Sequence, residues 1–151
     1  MNDRPSIDQT MMDIAKTWSF RSRCLRRQVG SVIVKDKHVL TSGYNGPPKG
    51  LPHCDECGGC LRQEMDLPSG ERQELCRGSH AELNAIIQAA IFGISVKGAT
   101  LYCTNFPCNF CAKAIVQAEI KKVIYEDDYT EDDNMAKQML EHVGIKMEKF
   151  E

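Results

Sequence analysis

Two short strings constrain this chain more than any other feature. His80-Ala81-Glu82 is followed, 25 residues after Glu82, by Pro107-Cys108-Asn109-Phe110-Cys111. One histidine and two cysteines in this H-x-E and P-C-x-x-C arrangement are three ligands for one zinc ion, so residues from two separate stretches must meet at a point. Three protein ligands leave the fourth tetrahedral position open, which separates a catalytic site from a closed structural one. A metal held in this way lowers the pKa of a water in the open position to about 7. Glu82 is then the group placed to take and deliver protons.

The flanking residues predict where the strings sit. Leu83, Ile86, Ile87, Ala90 and Ile91 recur at helical spacing over Ala81 to Ile91. Ser79, with Glu82 three residues on, can form a capping box, which is the purely structural reading of Glu82. Ala99 to Thr104 reads as a short buried strand, and Pro107 opens a second helical stretch from Cys108 to Ala118. Both strings therefore fall at helix N-termini, where backbone dipoles favour thiolates and developing negative charge. A structural zinc with an incidental glutamate would leave the open position and the Glu82 spacing without a purpose.

At 151 residues the chain fits one domain with one adequate core. No apolar run approaches a membrane span, and Asn2, Asp3 and Arg4 do not begin a signal peptide. Eight cysteines clustered at metal-type spacings, without an export signal, predict reduced thiols in a cytoplasm. A net charge of -2 provides no broad basic footprint, so no stable nucleic-acid partner is expected.

The remaining segments alternate. Ile7 to Phe20 reads as a helix capped by Ser6; Val29 to Val34 and His38 to Ser42 read as strands joined by a tight Asp36-Lys37 turn. Lys122 to Tyr125 predicts another strand. Thr130, with Asp133 three residues on, can cap a helix ending near Gly144, and Ile145 to Met147 a last strand. The pattern is a single α/β domain, 1–151, with a mixed sheet between helical layers.

Residues 44–78 break this alternation and carry four of the six prolines and half of the cysteines. So long a segment without clear structure usually serves function or is stapled. His53, Cys54, Cys57, Cys60 and Cys76 lie within it and Cys24 stands upstream. A second, closed structural zinc could supply about 10–16 kcal/mol of ordering free energy. Four of these six residues can serve at once: Cys24, Cys54, Cys60 and Cys76 are preferred, with Cys57 or His53 able to replace one. Unligated surface thiols are the alternative. Cys103, on the buried strand, reads as a small core residue.

His80-Ala81-Glu82-Leu83-Asn84-Ala85-Ile86, Gly43-Tyr44-Asn45-Gly46-Pro47-Pro48 and Thr100-Leu101-Tyr102-Cys103-Thr104-Asn105-Phe106-Pro107-Cys108 together resemble the cytidine/deoxycytidylate deaminase superfamily, and within it the dCMP deaminases. The resemblance runs from about Ile7 to Ile145 and includes Cys24…Gln28-Val29-Gly30 and Ile120 to Tyr125. The zinc strings are shared across the superfamily; the Gly43 to Gly46 block and the Cys-bearing insertion are more specific. They are similar to the phage and bacterial branch, in which an upstream Cys and a Cys of the insertion bind a second zinc, here Cys24 and Cys54.

The resemblance implies a three-layer α/β/α fold with a central mixed five-stranded sheet, a homohexamer, and zinc-dependent hydrolysis of dCMP to dUMP and ammonia for thymidylate synthesis. It also implies that Asn45 contacts deoxyribose and base and that the Ala81 N–H bonds the cytosine carbonyl; the competing reading of Asn45-Gly46 is a plain turn. Arg21, Arg23, Arg26 and Arg27 crowd seven residues, and Arg23 and Arg26 are the candidates for phosphate, against a solvated face or subunit contact. Such enzymes are often allosteric, activated by dCTP and inhibited by dTTP, and Mg2+ would accompany a regulatory nucleotide; no motif here carries that regulation by itself. The alternatives are a deaminase of another cytosine or adenine substrate, such as a nucleoside or a tRNA base, and a non-catalytic zinc protein that senses nucleotides.

Overall fold

Strand β1 (Gly30–Lys35) is buried over five of its six residues, as a strand covered on both faces must be. It pairs antiparallel with β2 (His38–Tyr44) and with β3 (Thr100–Asn105). β4 (Lys122–Asp127) runs parallel to β3, and β5 (Lys146–Lys149) parallel to β4, giving the order β2-β1-β3-β4-β5. This computed structural model describes residues 3–128 and 134–151. The mixed five-stranded sheet is the one predicted, with β2, β4 and β5 each two residues longer at their C-terminal ends. Asp36 and Lys37 both adopt positive φ, 50° and 65°, the conformation a two-residue hairpin needs to match strand twist.

Along the chain the helices are α1 (Ile7–Ser19), the four-residue α2 (Leu61–Glu64), α3 (Ala81–Phe92), α4 (Asn109–Gln117) and α5 (Asn134–His142). Alternation along the strands splits the core in two. Val32, Val34, Tyr102 and Ile124 face α1 through Met11, Met12 and Ala15. Ile33, Leu101 and Val123 face the other way and join Ala85 and Ala89 of α3, Ile115 of α4 and Leu140 of α5. The result is the three-layer α/β/α arrangement. Ser6 caps α1 as expected, its hydroxyl accepting the Gln9 N–H at 3.0 Å.

Two glycines allow the helices to sit this close. A Cβ on Gly43 of β2 would stand 2.3 Å from the Ala81 carbonyl oxygen and 2.7 Å from the Ala85 nitrogen of α3. One on Gly30 would stand 1.9 Å from the Ala15 carbonyl oxygen of α1. The insertion between β2 and α3 contains only α2 and two short 3-10 turns, Cys54–Glu56 and Gln73–Leu75. The predicted Thr130–Asp133 cap lies outside the described residues; α5 ends before Gly144, which has φ 80°.

Candidate active site

The two metal-ligand strings meet because element lengths match. The 12 residues of α3 rise about 18 Å, and the six residues of β3 return about 20 Å. α4 therefore begins at the end of the sheet where α3 began.

The capping box between Ser79 and Glu82 is not formed. Ser79 is drawn into an antiparallel bridge with Gly46, its N–H donating to the Gly46 carbonyl at 2.7 Å and its carbonyl accepting the Gly46 N–H at 3.1 Å. His80 becomes the N-cap of α3 and makes no side-chain capping bond, so the first-turn N–H groups stay open to a ligand. Glu82 turns inward instead and is 3% exposed. Pro107 likewise falls just outside α4: Cys108 is the N-cap and its sulfur accepts the Cys111 N–H at 3.5 Å.

His80 Nδ1 lies 3.3 Å from Cys108 Sγ and 3.5 Å from Cys111 Sγ. One donor atom from each of the three residues falls within 4.8 Å of the others, the only such group of three among the described residues. One imidazole nitrogen and two sulfurs at this spacing fit a tetrahedral zinc with one position left over. The Glu82 carboxylate adjoins this cluster, with Oε2 3.6 Å from Cys111 Sγ, which donates to it. The thiol of Cys103, buried in the core as expected, also hydrogen-bonds Glu82.

The electrostatics suit a metal that displaces protons. The hydrogen bond from Cys111 and then that from His80 bring the Cys108 thiol down to about 4. The same Cys108 sulfur and burial hold Cys111 well above the usual thiol range. His80 is raised, first by its bond to Cys108, against burial. Burial raises Glu82, opposed by the nearby His80.

A cavity of about 220 Å³ opens over this cluster. Its walls include Asn45, Ala81 and Glu82, together with Cys24, Cys54, Cys60 and Cys76. Asn45 does not make a turn with Gly46. Its Oδ1 accepts the Val29 N–H and its Nδ2 donates to the Arg27 carbonyl, each at 2.8 Å, which leaves one N–H to spare. Cys24 and three of the four insertion cysteines, Cys54, Cys60 and Cys76, thus line the cavity, but among the described residues no three of their sulfurs approach one another as closely as the His80 group. Arg23 is held by Asp55 at 2.7 Å and Glu56 at 3.2 Å. Arg26 donates to the Leu67 carbonyl at 3.0 Å. Two cavity residues were not legible in the sequence: Arg62, 6% exposed, and Arg77, which donates to Cys57 Sγ at 3.1 Å and the Gly59 carbonyl at 2.9 Å. The one signal that could have found them is the presence of arginines beside metal-spaced cysteines in an otherwise apolar-poor segment.

A three-layer α/β/α sheet fold with a His-Cys-Cys cluster at the N-termini of two adjacent helices defines a zinc-binding domain of one class. Residues 5–127 match the family described as the cytidine and deoxycytidylate deaminase zinc-binding region, and the chain belongs to that family. Its relatives include ComE operon protein 2 of Bacillus subtilis, 39% identical over 99% of this chain and 74% of that protein. The deoxycytidylate deaminase of Schizosaccharomyces pombe is 36% identical over 97% of this chain but only 45% of its own length, so the chain spans about half of that relative. In structure, dCMP deaminase from the cyanophage S-TIM5, crystallised in complex with dCMP and dUMP, superposes with a TM-score of 0.78 at 32% identity, covering 99% of this chain and 100% of that one.

Proposed function

We propose that this chain is a zinc-dependent deaminase that converts dCMP and water to dUMP and ammonia, supplying dUMP for thymidylate synthesis. The observation that carries it is the burial of Glu82 against the His80-Cys108-Cys111 cluster, at the floor of a cavity whose wall is rich in arginine. Bound at those three residues, zinc would supply an activated water at neutral pH. The residues do the rest. The Ala81 N–H, at the first position of α3 without an intrahelical partner, is placed to donate to the cytosine O2. Glu82, its pKa raised by burial, accepts one proton from the attacking water and delivers it to N3, then takes the second from the resulting C4 hydroxyl and passes it to the 4-amino group, which leaves as ammonia as the C4 carbonyl forms. Asn45, with its side chain pinned to the Arg27–Val29 backbone, offers its remaining N–H to sugar or base.

The insertion supports a second, structural zinc on Cys24, Cys54, Cys60 and Cys76. All four line one cavity, and Cys54 lies within electrostatic reach of Cys60 and Cys76. Cys57 turns its sulfur to the His53 carbonyl and does not line that cavity, which favours the first set. A homo-oligomer, a hexamer by resemblance, is supported by the exposed Ile87, Ile91 and Phe92 on α3 and Phe110 on α4, since an apolar helix surface of this kind normally finds a partner. An allosteric enzyme, a cytoplasmic location and a one-domain chain complete the reading. Among the described residues no helix is long and apolar enough to cross a membrane.

Ultraviolet-monitored deamination of dCMP beside CMP, dCTP and deoxycytidine tests the assignment. Preferential turnover of dCMP supports it. Failure of zinc-loaded protein to turn over any cytosine nucleotide, with dCTP and magnesium present, overturns it, and deamination of a tRNA base in its place would transfer the activity to that class.

A further inference from the structure

β2 is the edge strand of the sheet, so alternate carbonyls along it point away from β1 and find no ladder partner. Tyr44 ends this strand, opposite Gly30 of β1. Its carbonyl is taken by a side chain from another layer: Asn84 Nδ2, in the first turn of α3, donates to it at 2.8 Å. The same nitrogen donates to the Ser79 carbonyl at 3.2 Å. Both N–H groups of the Asn84 amide are thus spent on backbone oxygens of two separate segments.

Those two carbonyls belong to the residues immediately before Asn45 and His80. The Gly46–Ser79 bridge alone is one pair of backbone bonds, about which the two segments can pivot. A third contact from the side removes the pivot. Asn84 can provide it because it is held on its own account, its backbone N–H donating to the His80 carbonyl at 2.9 Å. Tyr44 is braced independently: its ring stacks on Trp18 of α1, with centroids 5.7 Å apart and planes at 16°. A Cβ on Gly43 would come within 3.1 Å of the Asn84 Cβ, so the bare backbone there gives the amide its place. Asn84 does not itself line the cavity; whatever it does for the site passes through the two carbonyls.

We propose that Asn84 is a positioning residue for the deamination: by bridging Tyr44 and Ser79 it sets the separation between Asn45 and the His80-Ala81-Glu82 turn. A nucleotide held by Asn45 is thereby kept at the distance from Glu82 and the metal ligands at which its C4 can react. This rests on the nucleotide-deaminase reading above, with Asn45 as a substrate contact. The demand for accuracy is severe, because a displacement of about 1 Å at a reacting centre can cost about 10²-fold in rate.

The experiment is a double-mutant cycle on zinc-loaded protein: wild type, Asn84→Ala, Asn45→Ala and the two combined, with Asn84→Asp beside them. Asn84→Asp keeps the volume of the side chain and removes both donors, so it reads the loss of the bridge without a packing defect. Steady-state kinetics on dCMP, calorimetric binding of dUMP, zinc content and the urea midpoint are measured for each. Asn84→Ala and Asn84→Asp should each lower kcat/KM by about 10–100-fold and weaken dUMP, with zinc content at the wild-type level. In the Asn45→Ala background the further loss on both readouts should be less than about threefold, since the separation that Asn84 sets then has nothing to place. Losses that multiply in the double variant would make Asn84 a general scaffold residue and overturn the proposal. So would wild-type kinetics in Asn84→Asp, or a loss of zinc that accounts for the lost activity. A wild type that turns over no cytosine nucleotide would instead overturn the deaminase reading itself.

Discussion

Gly46 and Ser79 exchange two backbone hydrogen bonds, of 3.1 Å and 2.7 Å. This single bridge closes the insertion like a drawstring: it fixes Asn45 on one side and His80 on the other, across the mouth of the cavity. It also removes Ser79 from its expected capping role, which frees Glu82 to turn inward. The Glu82 carboxylate thus owes its position to a contact between residues 33 positions apart.

Glu82→Gln keeps the shape of the side chain and removes its proton-accepting charge. Deamination should fall by about 10²–10⁴-fold, while zinc content, measured by atomic absorption on the purified protein, should stay at the wild-type level. Loss of the metal together with activity would mean that Glu82 supports the cluster rather than the proton transfers.

Gly43→Ala should destabilise the protein by about 1–3 kcal/mol. The new Cβ would fall 2.3 Å from the Ala81 carbonyl oxygen, and the only relief is movement of α3 away from β2. Because Ala81 and Glu82 begin that helix, catalytic efficiency should drop along with the urea midpoint. An unchanged midpoint would show that the helix has room to move.

Zinc affinity should rise with pH. In the metal-free site Cys108, at about 4, is already a thiolate at neutral pH, whereas Cys111 is held protonated by that neighbouring sulfur and by burial. Binding must then expel more than one proton per zinc at pH 7, one from Cys111 and part of a second from His80, which is also raised, and the number should approach two as pH falls. Calorimetry in two buffers of different ionisation enthalpy reads this number directly; binding without proton release would contradict the charge state assigned to the site.

Tyr102 predicts behaviour at the alkaline end. Its hydroxyl donates to Asp8 Oδ1 at 2.6 Å, and burial, then Asp8, raise it above the ordinary phenol value. A group raised in the folded state stabilises fully below its unfolded pKa, here about 10, and that contribution is lost as pH rises through the folded value. Stability should therefore decline above about pH 10. Tyr102→Phe should be weaker by about 1 kcal/mol at pH 8, with a smaller decline between pH 8 and pH 11 in urea unfolding. Parallel curves for the two proteins would remove Tyr102 from the alkaline transition.

Much of this molecule is legible locally. The helical spacing of Leu83, Ile86 and Ala90, the alternation in Val32, Ile33 and Val34, the Asp36-Lys37 turn and the Ser6 cap each depend on neighbours within a few residues, so the strip of sequence contains their physics. The His80, Glu82, Cys108 and Cys111 pattern is legible for a related reason: zinc chemistry restricts both ligand type and spacing. What the sequence alone left open was decided by contacts between distant segments. Ser79 is an acceptable cap until Gly46 claims its backbone, and Asn45-Gly46 an acceptable turn until Val29 and Arg27 claim the side chain. Arg62 is an ordinary surface residue in sequence; only the fold of the insertion buries it, against the Pro68 and Glu71 carbonyls. Local propensity costs about 1 kcal/mol or less to override at any one residue, and a buried backbone group left without a partner costs more, so where the two conflict the tertiary contact decides.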